Sequence, residues 1–96
     1  PSKQVQLRSR MIAGLCDALL RARAEAADIA PELVANRSEV EALLVDVLSG
    51  QQELAGHRLL EGWRRELAGE PIVALASGRC ALRVIDQPPF IAEIDV

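Results

Sequence analysis

Residues 57–71, HRLLEGWRRELAGEP, hold the sole tryptophan, the sole histidine and three of the chain's eleven basic residues. Trp63 followed by Arg64 and Arg65 has the residue types of a base-stacking platform beside a phosphate clamp. An aromatic face stacks on any base, and a guanidinium forks onto phosphate oxygens. Arg37 opens a helical pattern, where unpaired backbone N–H groups and the helix dipole both favour an anion. Arg58 shares the outer face of its expected helix with Glu61 and Arg65, and Arg64 flanks the apolar face beside Leu60. Lys3, Arg8 and Arg10 crowd the chain start. Arg37, Arg58, Arg64 and Arg65 are the candidate nucleic-acid contacts. The alternative is a solvated, salt-bridged surface, because Glu39, Glu61 and Glu66 sit among them.

Periodicity separates the tryptophan from the arginines. Leu59, Trp63 and Leu67 recur at a spacing of four, so one continuous helix turns all three inward and Arg65 outward. On that reading Trp63 is a core residue. Gly62 beside it is an unfavourable helix residue, which a close approach of another backbone would justify.

No catalytic constellation accompanies these residues. His57 lacks a Ser or Cys partner in motif context and reads as an i,i+4 pair with Glu61. The acidic residues alternate with arginines along helix faces, whereas a two-metal site needs carboxylates converging on one spot. Cys16 and Cys80 lie far apart, so zinc-type spacing is absent and Cys16 reads as a buried, reduced thiol. The glycines are too dispersed for a phosphate-cradling loop. Neither a catalytic site nor a cofactor is expected in these residues.

Ninety-six residues, half of them apolar, suffice for one small core. Trp63 and Phe90 are the whole aromatic supply, so Leu, Val, Ile and Ala must fill that core, which suits closely packed helices. The net charge of −3 gives no global attraction for nucleic acid, and any such contact needs a local basic patch. The chain shows no signal peptide and no run of about 18 apolar residues, and reads as soluble, cytoplasmic and without a membrane partner. Its start, PSKQ, lacks an initiator Met and suggests a piece of a longer protein.

The elements that would position the basic residues are helices. Residues 4–28 carry apolar side chains at Val5, Met11, Ile12, Leu15, Cys16, Leu19, Ala22 and Ala26, opposite a face with Asp17, Arg21 and Glu25. Pro31 starts a short second helix. Ser38 and Glu41 fit an S-x-x-E capping box for a third, whose Val40, Leu43, Leu44, Val47 and Leu48 share a face before Ser49-Gly50 ends it. A fourth helix holds Leu59 to Leu67, stops at Gly69, and Pro71 begins a fifth that closes at Gly78. The expected fold is thus an all-α bundle of about five helices over 1–78. Residues 79–96, with β-prone runs CALRVID and FIAEID around QPP, form an extension that is a hairpin, extended over the bundle, or partly disordered.

The order APELVANRSEVEALL, a connector, then LLEGWRRELAGEPIVAL resembles the C-terminal HRDC (helicase and ribonuclease D C-terminal) domain of bacterial ribonuclease D. Gly62, Trp63 and Arg64 match its GWR element, and Gly69, Glu70 and Pro71 its GEP element. The resemblance implies an accessory helical domain of a 3′–5′ exoribonuclease that trims transfer RNA precursors by metal-dependent hydrolysis. Its metal ligands would lie in a separate exonuclease domain. The implied role is to help bind and position structured RNA; the alternative is a spacer that docks on neighbouring domains of the same protein and shapes the substrate channel. The strand-like extension departs from the family pattern.

Overall fold

The computed structural model describes residues 2–96. Helix α1 (Lys3–Ala26) begins at Ser2, whose hydroxyl accepts the Val5 N–H at 3.1 Å. Its buried line runs through Ser9, Ala13, Cys16, Leu20 and Ala24, with Leu19 and Ala22 alongside. Met11 and Leu15, expected inside, lie outside this line and are exposed, Met11 by 72%. Small residues at Ala13, Cys16 and Ala24 let neighbouring helices approach α1 on that line, and Leu19 and Leu20 fill the core beside them.

Helix α2 (Pro31–Val34) is a single turn with Pro in its first position, as expected. Helix α3 (Arg37–Leu48) does not use the Ser38–Glu41 box. Its N-cap is Asn36, whose Oδ1 accepts the Glu39 N–H at 2.9 Å while Glu39 Oε1 accepts the Asn36 N–H at 3.0 Å. Asn36 and Glu39 have the same three-residue spacing, and starting there places Val40, Leu43 and Leu44 against α1 in the core.

The second half is less regular than its periodicity suggests. Arg58–Leu60 is a 3₁₀ turn, Glu61 is extended, and Gly62 has φ +56°. Helix α4 (Gly62–Arg64) then runs through a π-helical stretch, Arg65–Gly69, into α5 (Glu70–Ala76). Gly69 therefore does not stop a helix, and the backbone stays helical through it. Pro71 has no N–H and its ring crowds the preceding turn, a conflict that the wider π turn, closed by Glu70 N–H to Arg65 C=O, accommodates. The close backbone approach expected at Gly62 occurs at Gly69, where a Cβ would overlap the Leu59 carbonyl; nothing crowds Gly62, whose positive φ is its reason for being glycine.

The extension is an antiparallel hairpin, β1 (Cys80–Val84) with β2 (Ile91–Asp95), in register from Cys80–Asp95 to Val84–Ile91. It packs on the helices: β1 lies against α5, β2 against α1, and Leu82 reaches the core. Arg23 of α1 forks onto Glu93 of β2 (Nε–Oε2 2.7 Å, Nη2–Oε1 3.1 Å). The radius of gyration, 12.8 Å, is close to the roughly 12.5 Å of a compact chain this long, which a projecting tail would exceed. The result is a helical domain with a docked, non-helical C-terminal segment.

Candidate nucleic-acid interface

Each of the four candidate arginines already holds a partner in the fold. Arg37, the first residue of α3, pairs with Glu41 one turn on (Nε–Oε2 3.2 Å). Arg58, on the 3₁₀ turn, forks onto Glu39 with Nε–Oε2 2.8 Å and Nη2–Oε1 2.6 Å. Glu39 thereby closes the α3 cap and anchors the 3₁₀ turn together. The Arg58 hydrogen bond is the largest of the influences that hold its carboxyl below the usual carboxylate range, with the Asn36 N–H and the charge of Arg64 adding to it. Arg65 contacts Glu70 (Nε–Oε2 3.2 Å).

Arg64 has a different role. Its Nε donates to the Val34 carbonyl at 3.0 Å and its Nη2 to the Leu33 carbonyl at 2.8 Å, satisfying the end of α2, where Leu33 and Val34 otherwise lack helical partners. Its guanidinium carbon stands 4.3 Å from the centroid of the Trp63 ring. Trp63 is 48% exposed and is not a core residue. The break at Glu61–Gly62 uncouples Leu59 from Trp63, and the π stretch offsets Leu67 from both, so the spacing of four no longer defines one face. Leu59 goes inside, 1% exposed, while Trp63 stays at the surface.

Arg58 and Arg64 both act on Glu39 and so belong to one edge of the domain, between α2, α3 and the 3₁₀ turn. Arg65 faces elsewhere, into a cavity of about 580 Å³ that it lines with His57, Leu60, Glu70, Val73 and Arg79. The outer face expected for Arg58, Glu61 and Arg65 is split because those residues share no helix. His57 does not pair with Glu61; its Nε2 is hydrogen-bonded to Asp46 Oδ2 at 2.7 Å, tying the 51–57 connector to α3. Sequence reasoning missed Arg79 and Arg83, which, with Lys3, Arg8 and Arg10, form no ion pair within 4 Å among the described residues. Arg79 follows Gly78 between α5 and β1 and lines the same cavity as Arg65.

Cys16 is fully buried, and burial pushes its thiol up to about 11, so it is a packing residue. Among the described residues, no three His, Cys, Asp or Glu side chains are grouped to hold a metal ion. Nor is any helix among them long and apolar enough to cross a membrane.

No family model and no solved structure matches the chain. Over 74 residues, 77% of its length, the chain is 34% identical to a curated relative, the ribonuclease D of Zymomonas mobilis. The chain spans 17% of that protein, so the likeness is to one portion of a ribonuclease D.

Proposed function

We propose that this chain is an accessory, HRDC-type domain of a ribonuclease D-like 3′–5′ exoribonuclease, working in the cytoplasm and helping to hold structured RNA, such as a transfer RNA precursor. A metal-dependent exonuclease domain outside these residues trims the 3′ end. The observation that carries this reading is the 34% identity to ribonuclease D over three quarters of the chain. Arg37, Arg58, Arg64 and Arg65 supply the positive charge. For Arg37 and Arg65 a phosphate replaces Glu41 or Glu70 as partner, an exchange favoured by how little exposed ion pairs contribute to stability, while Arg58 keeps its fork to Glu39 and offers its remaining N–H groups. With a net charge of −3, the domain alone binds weakly, within the non-specific range of about 10⁻⁴–10⁻⁶ M, and less well as salt rises. The test is a titration of the isotope-labelled chain with transfer RNA at low and moderate salt, followed at each backbone amide. Salt-sensitive shifts near the four arginines are expected, and no shift at low salt overturns direct binding.

A second reading is a spacer that docks on a neighbouring domain of the same protein. It is favoured by the groove of about 310 Å³ between α1 and the end of α5, lined by Met11, Ile12, Leu15, Leu75 and Ala76. Under that reading, RNA leaves the amide spectrum unchanged, whereas Met11→Asp weakens attachment of the domain to the rest of the parent enzyme without unfolding it.

A further inference from the structure

Both aromatic residues of the chain lie at the surface: Trp63 is 48% exposed and Phe90, at the hairpin turn, 55%. A chain with only two large aromatic rings would gain most by burying them, since each can withdraw some 150–250 Å² from water. Trp63 is also held in place. Arg64 lies over one face of its indole, and two hydrogen bonds to the end of α2 fix the guanidinium. Such a ring loses little freedom on binding a second flat group. Even with the guanidinium over one face, Trp63 leaves 48% of its surface to solvent. Of the five N–H donors of Arg64, the Leu33 and Val34 carbonyls take two, which leaves three and the full charge beside the ring. The two backbone irregularities flanking this site, the Glu61–Gly62 break and the π stretch from Arg65, are what turn Trp63 out of the core.

We propose that Trp63 is a stacking platform for one unpaired RNA base, with Arg64 as the positioning residue that holds the indole and meets the adjoining phosphate. This rests on the RNA-holding reading and deepens it by naming where a single-stranded segment docks and which chemistry recognises it. Stacking selects unpaired nucleotides without selecting their sequence, because every base has a π face. The site therefore takes the single-stranded end or a loop of a structured RNA.

Trp63 is the only tryptophan, so its intrinsic fluorescence reports the site directly. The experiment titrates the 96-residue chain at low salt with a short oligouridylate and, separately, with an abasic ribose-phosphate strand of equal length. Quenching by the oligouridylate and little by the abasic strand is expected. Trp63→Leu should weaken oligouridylate binding, measured from labelled RNA, about tenfold or more, with Trp63→Phe recovering part of the loss. Circular dichroism establishes that both variants keep their helices. Unchanged affinity in Trp63→Leu overturns the platform and leaves the RNA-holding reading intact. Equal quenching by both strands also overturns it, since the contact is then with the backbone. No binding of either strand or of transfer RNA by the unaltered chain overturns the RNA-holding reading and the platform with it.

Discussion

The α1–α3 pair and the segment 57–76 bury similar side chains by different means. Between α1 and α3, uninterrupted helices bring Leu19, Leu20, Val40, Leu43 and Leu44 together, and side-chain volume sets the fit. In segment 57–76, the backbone itself sets the fit: the Leu59 carbonyl lies where a Cβ of residue 69 would stand, and the helix widens into a π turn around that contact. The difference teaches that residues are buried in the second region by where the chain breaks, so a small leucine goes in and a large tryptophan stays out.

Variants can break this comparison, beginning with the largest expected effect. Leu44→Ala in α3 and Leu59→Ala in the 3₁₀ turn should each cost about 2–5 kcal/mol in urea unfolding, since both side chains are buried. A cost well below 2 kcal/mol for Leu59→Ala alone would mean that the irregular segment collapses onto the cavity and is not set by its backbone. Gly69→Ala should cost about 1–3 kcal/mol although it adds only a methyl group, because the atom that must move belongs to the Leu59 backbone. In α1 the same substitution at Gly14, which has open space around it, should be neutral or stabilising. Equal effects at the two glycines would erase the contrast.

Trp63→Ala should cost about 1–2 kcal/mol, less than Leu59→Ala despite removing the larger side chain. What is lost is the buried half of the indole and its contact with Arg64. A loss of 3–5 kcal/mol, the usual result for a buried aromatic, would return Trp63 to the core. Arg23→Ala should cost about 1 kcal/mol or less and expose the hairpin to faster amide exchange at Cys80–Val84, because it severs the fork to Glu93.

The regular region was the legible one. Periodicity and Pro31 gave α1, α2 and α3 to within a few residues, because local propensity and burial agree there. Even so, Met11 and Leu15 lie outside the core, since hydrophobicity alone does not mark the line of closest approach. The spacing of Leu59, Trp63 and Leu67 and the Gly69-Glu70-Pro71 run predict two helices in 57–76, because neither a π turn nor a left-handed Gly62 changes that spacing in the sequence. The motif GWR…GEP was nevertheless informative: Gly62, Gly69 and Pro71 are the residues at the irregularities. Arg37, Arg58, Arg64 and Arg65 are visible as cations, and Glu41 one turn beyond Arg37 is a local pair, but the partners of Arg58 and Arg64 are not visible. Arg58–Glu39 and the Arg64 contacts with α2 join residues 19 to 31 positions apart, and no local pattern encodes such pairs.

The smallest expected effect tests the joint between the two regions. Glu39 caps α3 and holds Arg58 of the 3₁₀ turn, and the fork from Arg58 lowers its affinity for a proton below that of the unfolded chain. A carboxylate whose folded pKa is depressed stabilises the fold above its unfolded pKa, here near the reference value of 4.5, and loses that contribution as pH falls through the lower, folded value. Glu39→Gln keeps an oxygen for the Asn36 N–H but removes the charge. Its stability deficit in urea titrations should therefore be largest at neutral pH, shrink below about pH 4.5, and vanish in more acid solution. A deficit that stays constant with pH would mean that Glu39 joins the regions by its cap geometry alone, and that the fork to Arg58 contributes nothing to holding the irregular segment on α3.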